Sequence, residues 1–478
     1  MKSLPEDSPQ IAIKFANTVF ILCFMFSVLI SVYALYRIFN PMYASSIGVK
    51  EIKTFYIIFI LCGGLLATLF ILGLKKLSNN LKINLSISIF VIGICVYGIE
   101  TYLELKTNRA FIAKISGVPF DTRSRMEVLN DLRNSGVEAF PNIFPFMLVG
   151  SNGLMYKKNR IYPLGGISNS TTFFSNEGGY YPIFKTDKHG FNNPKGLYVE
   201  NEVDIVLIGD SSTAGKSVHT NETMGGVLRQ SDLNAISLGK RGSGPLAELG
   251  SLKEYAEPLK PKIVLWVYCP NDLENELGVR RDLDQELDSS ILRSYLEQNN
   301  YSQNLISRQE EVDFALKDYA IQREKMQIER EKRETLPNNF LIKIIKLYNL
   351  RNLVNLKPES KTLSTSRPLS ITQPIFRDIL KKSNQMISDW NGKLYFVYLP
   401  SFQSYYMDDT SRDFVMQTAM ELDIPIIDIL EEVFVPHPDP ITLFPFKMQG
   451  HFNAEGYKLT AEVIIKRLKE DGYQPIVK

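Results

Sequence analysis

Four short stretches of this chain hold residues able to carry acyl transfer. Ser211 lies in IGDSS, straight after the apolar run Val203–Ile208. Gly242 lies in LGKRGSGP, Asn271 in CPNDL and His451 in GHFNAEGY, the first two of them following further apolar runs. A serine hydroxyl attacks an ester carbonyl once an imidazole removes its proton, and aligned N–H groups steady the oxyanion that forms. Ser211 and His451 are therefore the candidate nucleophile and base. The N–H groups of Ser211 and Gly242 and the side-chain amide of Asn271 are the candidate oxyanion donors. Asp210 is expected to brace the turn.

The same turn ends in Gly215-Lys216-Ser217, which invites a phosphate-cradling reading. That loop needs four residues between its glycines, whereas five separate Gly209 from Gly215. Asp210 would also repel a phosphate, and no later apolar run ends in an aspartate placed for magnesium. The nucleophile reading is the stronger.

An alternating pattern must position these groups. Short apolar runs at Val203–Ile208, Asn234–Leu238, Lys262–Tyr268, Lys393–Leu399 and Ile424–Ile429 alternate with helical spacings, the last over Ala454–Glu470. Strand, turn and helix repeated in this way predict a parallel sheet covered by helices. Residues 274–390 form an insertion with a charged centre at 308–335, where Val312, Ala315, Leu316 and Tyr319 mark one stripe of an amphipathic helix. That helix is read as a surface helix, with a lid or partner-binding arm as the alternative. Residues 141–200, rich in Gly, Asn, Pro and Tyr, read as an irregular lead-in packed beside the main domain.

The N-terminus is of a different kind. Runs 15–36 and 54–74 carry no charge, and a shorter run, 83–99, follows. A bilayer crossing needs about 20 such residues, so three transmembrane helices are predicted. The organisation expected is a membrane domain at 1–106, a connector at 107–200 and the α/β domain at 201–478. The lysines between Lys75 and Lys82 favour a cytoplasmic turn there, which puts the C-terminal part outside the cytoplasm. With 54 basic and 52 acidic residues the chain has no bias toward nucleic acid. Of four cysteines only Cys269 lies beyond the apolar runs, so the C-terminal part holds no internal disulfide, and no cysteine cluster suggests zinc. His189 reads as a structural loop residue, and His219 and His437 as surface residues.

In type and order the four stretches resemble the SGNH (GDSL-type) hydrolases, whose blocks carry Ser in GDS, Gly in a following loop, Asn in Gly-x-Asn-Asp and His near the C-terminus. The matching positions are Ser211, Gly242, Asn271 and His451, and the resemblance spans roughly 200–275 and 390–470. It implies a flavodoxin-like three-layer α/β sandwich and a membrane-anchored bacterial esterase. Such an enzyme would remove an acyl group, acetyl first of all, from a cell-surface glycan or glycolipid in the plasma membrane's outer space. The same pair would serve a polysaccharide O-acyltransferase. A silent scaffold subunit of a polysaccharide export complex is the non-enzymatic alternative. Expected partners are the bilayer, the acylated substrate and polysaccharide-assembly proteins, with no metal or cofactor. Two positions depart from the family pattern. Cys269 stands for the glycine of Gly-x-Asn-Asp, and Met448 stands where an aspartate usually supports the histidine. A Ser–His dyad, or support from Asp428, Asp439 or Glu455, is left open.

Overall fold

The computed structural model describes residues 9–39, 49–200, 202–273, 282–333, 340–353, 367–406 and 410–473. They divide into two compact units, Met1–Asn108 with Leu336–Thr365, and Arg109–Thr335 with Ser366–Lys478.

The first unit contains α1 (Gln10–Phe39), α2 (Val49–Lys76) and α3 (Asn79–Thr107). All three are long and apolar enough to cross a membrane, including the one expected to be weakest. Side chains such as Leu22, Phe26, Leu61 and Ile92 are exposed, the apolar outer surface a helix needs to face lipid. Small residues let α1 and α2 approach: a Cβ on Gly63 would lie 2.3 Å from Ser31 Oγ.

The second unit is built on a five-stranded sheet: β1 (Ile205–Gly209), β2 (Ala235–Ser237), β3 (Ile263–Tyr268), β4 (Lys393–Tyr398) and β5 (Ile426–Asp428). The order is β2-β1-β3-β4-β5 and every pair is parallel, the doubly wound topology of flavodoxin-like folds. Strand alternation sorts the side chains onto two faces. Val206, Ile208, Val264, Trp266, Phe396 and Tyr398 form one core, and Ile205, Leu207, Leu265, Val267, Tyr395 and Val397 the other. Both faces are covered, which is why these strands read as continuous apolar runs. Helices α4 (Met224–Gln230) and α11 (Ala454–Glu470) supply Met224, Leu228, Tyr457 and Ile464 to the second core. The first core receives Leu246 and Leu249 from α5 (Pro245–Ser251) and Val312 and Leu316 from α6 (Gln309–Arg333). It also receives Phe376 and Ile379 from α9 (Leu369–Asp389) and Val415 from α10 (Arg412–Glu421). The stripe on α6 is buried at Val312, Ala315 and Leu316, so its N-terminal half is core rather than a free arm.

The insertion is divided between the units. Helices α6 and α9 belong to the sheet unit, whereas α7 (Phe340–Ile345) and α8 (Tyr348–Leu353) group with the spans. Residues 274–281, 334–339 and 354–366 of that insertion lie outside the described residues. The lead-in belongs to the sheet unit, where Ile143, Leu148, Tyr162, Leu164 and Phe191 join the first core.

Candidate active site

Parallel strands bring their C-terminal ends to one edge, and the turns leaving that edge carry the reactive side chains. After β1 the chain closes one tight turn, with Ala214 N–H donating to Asp210 O and Lys216 N–H to Ser211 O. Ser211 thereby opens a short helical segment with its hydroxyl on the sheet edge. Asp210 accepts from Ser212 N–H at 2.8 Å and lies 3.2 Å from Ser211 Oγ, the bracing role its position suggests. His451 approaches from the loop before α11. It is not that helix's cap: Asn453 is, its side chain accepting from Gly456 N–H.

Ser211 Oγ and His451 Nε2 are 2.7 Å apart, though 240 residues separate them in the chain. Both are largely sheltered, Ser211 being 8% exposed and the His451 side chain 17%. A carboxylate reaches His451 from the lead-in. The pairing of Thr171–Phe173 with Ile183–Lys185 forms a hairpin whose loop carries Glu177. Glu177 Oε2 lies 2.9 Å from His451 Nδ1 and also accepts His451 N–H at 2.9 Å. One carboxylate therefore fixes both the ring and the backbone of the histidine. Asp428, Asp439 and Glu455 are engaged elsewhere, with Arg412, Lys447 and Lys458 respectively.

The Gly-Lys-Ser tripeptide has a role in this arrangement. Lys216 Nζ lies 2.7 Å from Glu177 Oε1, and Ser217 Oγ donates to Phe452 O, tying the nucleophile turn to the histidine loop. Burial alone would raise the Glu177 pKa. The charges and hydrogen bonds of His451 and Lys216 outweigh it and hold the carboxyl well below the usual carboxylate range. Desolvation lowers the Lys216 pKa, partly offset by the Glu177 charge. Arg109 also braces the loop, its guanidinium donating to Gln449 O.

The oxyanion candidates fare differently. Asn271 lines the same cavity as Ser211 and His451, and its Nδ2 donates to Asp282 Oδ2 at 2.8 Å and to Asp210 Oδ2 at 3.3 Å. Gly242 does not line that cavity. It takes a left-handed φ of 64° and packs against Phe144 and Phe146. The loop glycine that abuts the nucleophile turn is Gly239, where a Cβ would lie 2.4 Å from Ala214 N. Between the two glycines Lys240 N–H donates to Gly209 O at 3.2 Å. Cys269 is buried, its thiol 3.6 Å from Asp210 Oδ1.

The cavity encloses about 330 Å³. Leu399, Phe402 and Phe444 give its lining apolar surface, and Gln403, Gln449 and Lys216 polar surface. His189 is buried far along the lead-in, its Nδ1 against Gln309, and His219 stacks on Tyr180 at the surface. His437 accepts from Asp439 N–H. Among the described residues no cluster of metal-ligating side chains occurs.

No protein-family model matches the chain, and neither does any curated protein. Among solved structures it is similar to a lipase/acylhydrolase from Enterococcus faecalis, at 12% identity and a TM-score of 0.32 over 58% of this chain and 100% of that one. It is also similar to a GDSL-like lipase from Bacteroides thetaiotaomicron, at 11% identity and a TM-score of 0.27 over 58% and 92%. A third is an acetyl-xylooligosaccharide esterase from Geobacillus Stearmophilus, at 12% identity and a TM-score of 0.28 over 59% and 100%.

Proposed function

We propose that this chain is a membrane-anchored serine esterase of the SGNH type that removes an acyl group, acetyl first of all, from a cell-surface glycan or glycolipid. One observation carries the reading: Ser211 Oγ, the His451 ring and the Glu177 carboxylate form an unbroken hydrogen-bonded line into a cavity.

In this reading His451 Nε2 takes the Ser211 proton as Oγ attacks the ester carbonyl. Glu177 keeps Nδ1 protonated and stabilises the imidazolium that forms. The Ser211 N–H and the Asn271 amide, released from its longer bond to Asp210, receive the oxyanion. His451 then protonates the departing sugar oxygen, and water, deprotonated by the same ring, frees the acid. The apolar part of the lining takes the acyl chain and the polar part the sugar hydroxyls. The three spans hold the enzyme in a bacterial plasma membrane with the sheet unit outside, where acylated glycans and the proteins that assemble them reside.

Purified full-length protein given an acetylated donor and an oligosaccharide acceptor tests this directly. Free acetate released in turnover supports the esterase. Acetyl appearing on the acceptor instead makes the chain an O-acyltransferase, and neither product from folded protein sinks the enzymatic reading. The scaffold alternative rests on Met448 at the acid position and on the charged insertion, and the Glu177 carboxylate 2.9 Å from His451 Nδ1 supports the enzymatic reading over it.

Lys216 is read as a positioning residue that acts on the site through Glu177, 2.7 Å from its Nζ. Removing its ammonium leaves the buried Glu177–His451 pair holding its shared proton more tightly, because burial then opposes the carboxylate charge. Lys216→Gln is expected to shift the acid limb of the pH–rate profile to higher pH and to lower the plateau kcat by about tenfold. A profile that keeps its limb while the protein merely loses thermal stability would assign Lys216 a packing role alone.

A further inference from the structure

The short helices α7 and α8 interrupt the insertion of the sheet unit, yet they pack on α3. Two carboxylates in the last turns of that candidate span, Glu100 and Glu104, are buried, at 0% and 3% exposure. An uncompensated carboxylate at membrane depth costs several kcal/mol, so such groups are found paired. Here the helix pair supplies the partners. Glu100 accepts from Asn349 N–H and Leu350 N–H at 2.9 and 2.8 Å, and Glu104 from Lys343 Nζ and Asn349 Nδ2, both at 2.9 Å.

What this clamp presents outward is apolar and basic. Leu341, Ile345 and Leu353 are 61, 68 and 71% exposed, with Lys346 and Arg351 exposed between them and no acid from 340 to 353. Glu100 lies 21 residues beyond Asn79, about 32 Å along α3 at 1.5 Å per residue, or one hydrocarbon thickness. Exposed Tyr97 and Tyr102 flank Glu100, and Tyr348 is exposed on α8, the aromatic pattern of a membrane–water boundary.

We propose that α7 and α8 form an interfacial element whose apolar residues enter the acyl region of the bilayer while Lys346 and Arg351 bind anionic lipid headgroups. Its charge, with two exposed basic residues and no acid, favours anionic lipid over a second basic copy of itself. Electrostatics and apolar burial act together there. The inference stands apart from the esterase reading and needs only that α3 crosses a membrane.

Tryptophan placed at the exposed positions reports on this as the difference from the wild-type signal, whose two native tryptophans, buried Trp266 and half-buried Trp390, both lie in the sheet unit. Full-length Ile345→Trp and Leu353→Trp proteins would be reconstituted into phosphatidylcholine–phosphatidylglycerol vesicles with or without acyl-chain bromines. Bromolipid is expected to quench the added fluorescence by about twofold while aqueous iodide has little effect. Adding K346E and R351E should weaken that quenching. Iodide quenching without bromolipid quenching would place the helices in water and overturn the proposal. Protection from both quenchers would mean a protein surface covers them, and would overturn it equally. Both substituted side chains are exposed, so agreement between the two variants guards against a folding artefact.

Discussion

Ser211→Ala is expected to abolish ester turnover, lowering kcat by as much as about 10⁶-fold, the scale seen when a serine nucleophile is removed. The substitution deletes one oxygen, and with it the 2.7 Å contact to His451 Nε2. The turn itself rests on Asp210 and on backbone hydrogen bonds that alanine keeps, so the protein should melt near the wild-type temperature. A serine-directed fluorophosphonate should label the wild type and leave this variant unmodified. Undiminished labelling would place the nucleophile elsewhere. Turnover retained by the variant would end the acyl-enzyme mechanism altogether.

Glu177→Gln carries the second large effect and addresses a residue outside the family's four blocks. A carboxylate facing Nδ1 fixes the tautomer that leaves Nε2 free to take the serine proton, whereas an amide can donate to Nδ1 and select the wrong one. The expected loss in kcat is about 10³- to 10⁴-fold, by the scale of the corresponding acid in other triads. Substrate affinity should change much less, since Glu177 points at the histidine rather than at a bound sugar. Because its pKa is held well below the usual carboxylate range, Glu177 stays ionised throughout the working pH range. The acid limb of the wild-type profile therefore cannot arise from Glu177 losing its charge. Near-wild-type kcat in the glutamine variant would reduce the site to a Ser–His dyad.

The fold was readable from the chain because its signals are local. Apolar runs of strand length recur between helical spacings, and long uncharged runs precede them. A strand buried on both faces has to be apolar at every position, so β1, β3 and β4 announce themselves without a partner. Ser211 and His451 were readable as candidates too, each lying in a recognisable stretch next to a strand end or a helix start, and the fold brings them 2.7 Å apart. Where an apolar stripe was expected on α6, Val312, Ala315 and Leu316 are indeed buried.

What the chain alone left open depends on contacts between distant segments. Glu177 sits in SNEGGYY, one of 52 acidic residues, and nothing local distinguishes it. Only the placement of its hairpin loop beside His451, 274 residues away, makes it an acid partner. Lys216 is likewise a phosphate-loop lysine by spelling and a carboxylate partner by position. Gly242 and Gly239 stand in one glycine-rich loop, and the path of the backbone decided that Gly239 meets the nucleophile turn. Helices α7 and α8 joined the spans because two buried carboxylates needed donors. Sequence thus determined which segments become strands and helices, through periodicities a few residues long, and which side chains were candidates for chemistry. Tertiary structure decided which charges meet, because a buried charge is settled by whatever the fold brings within 3 Å of it.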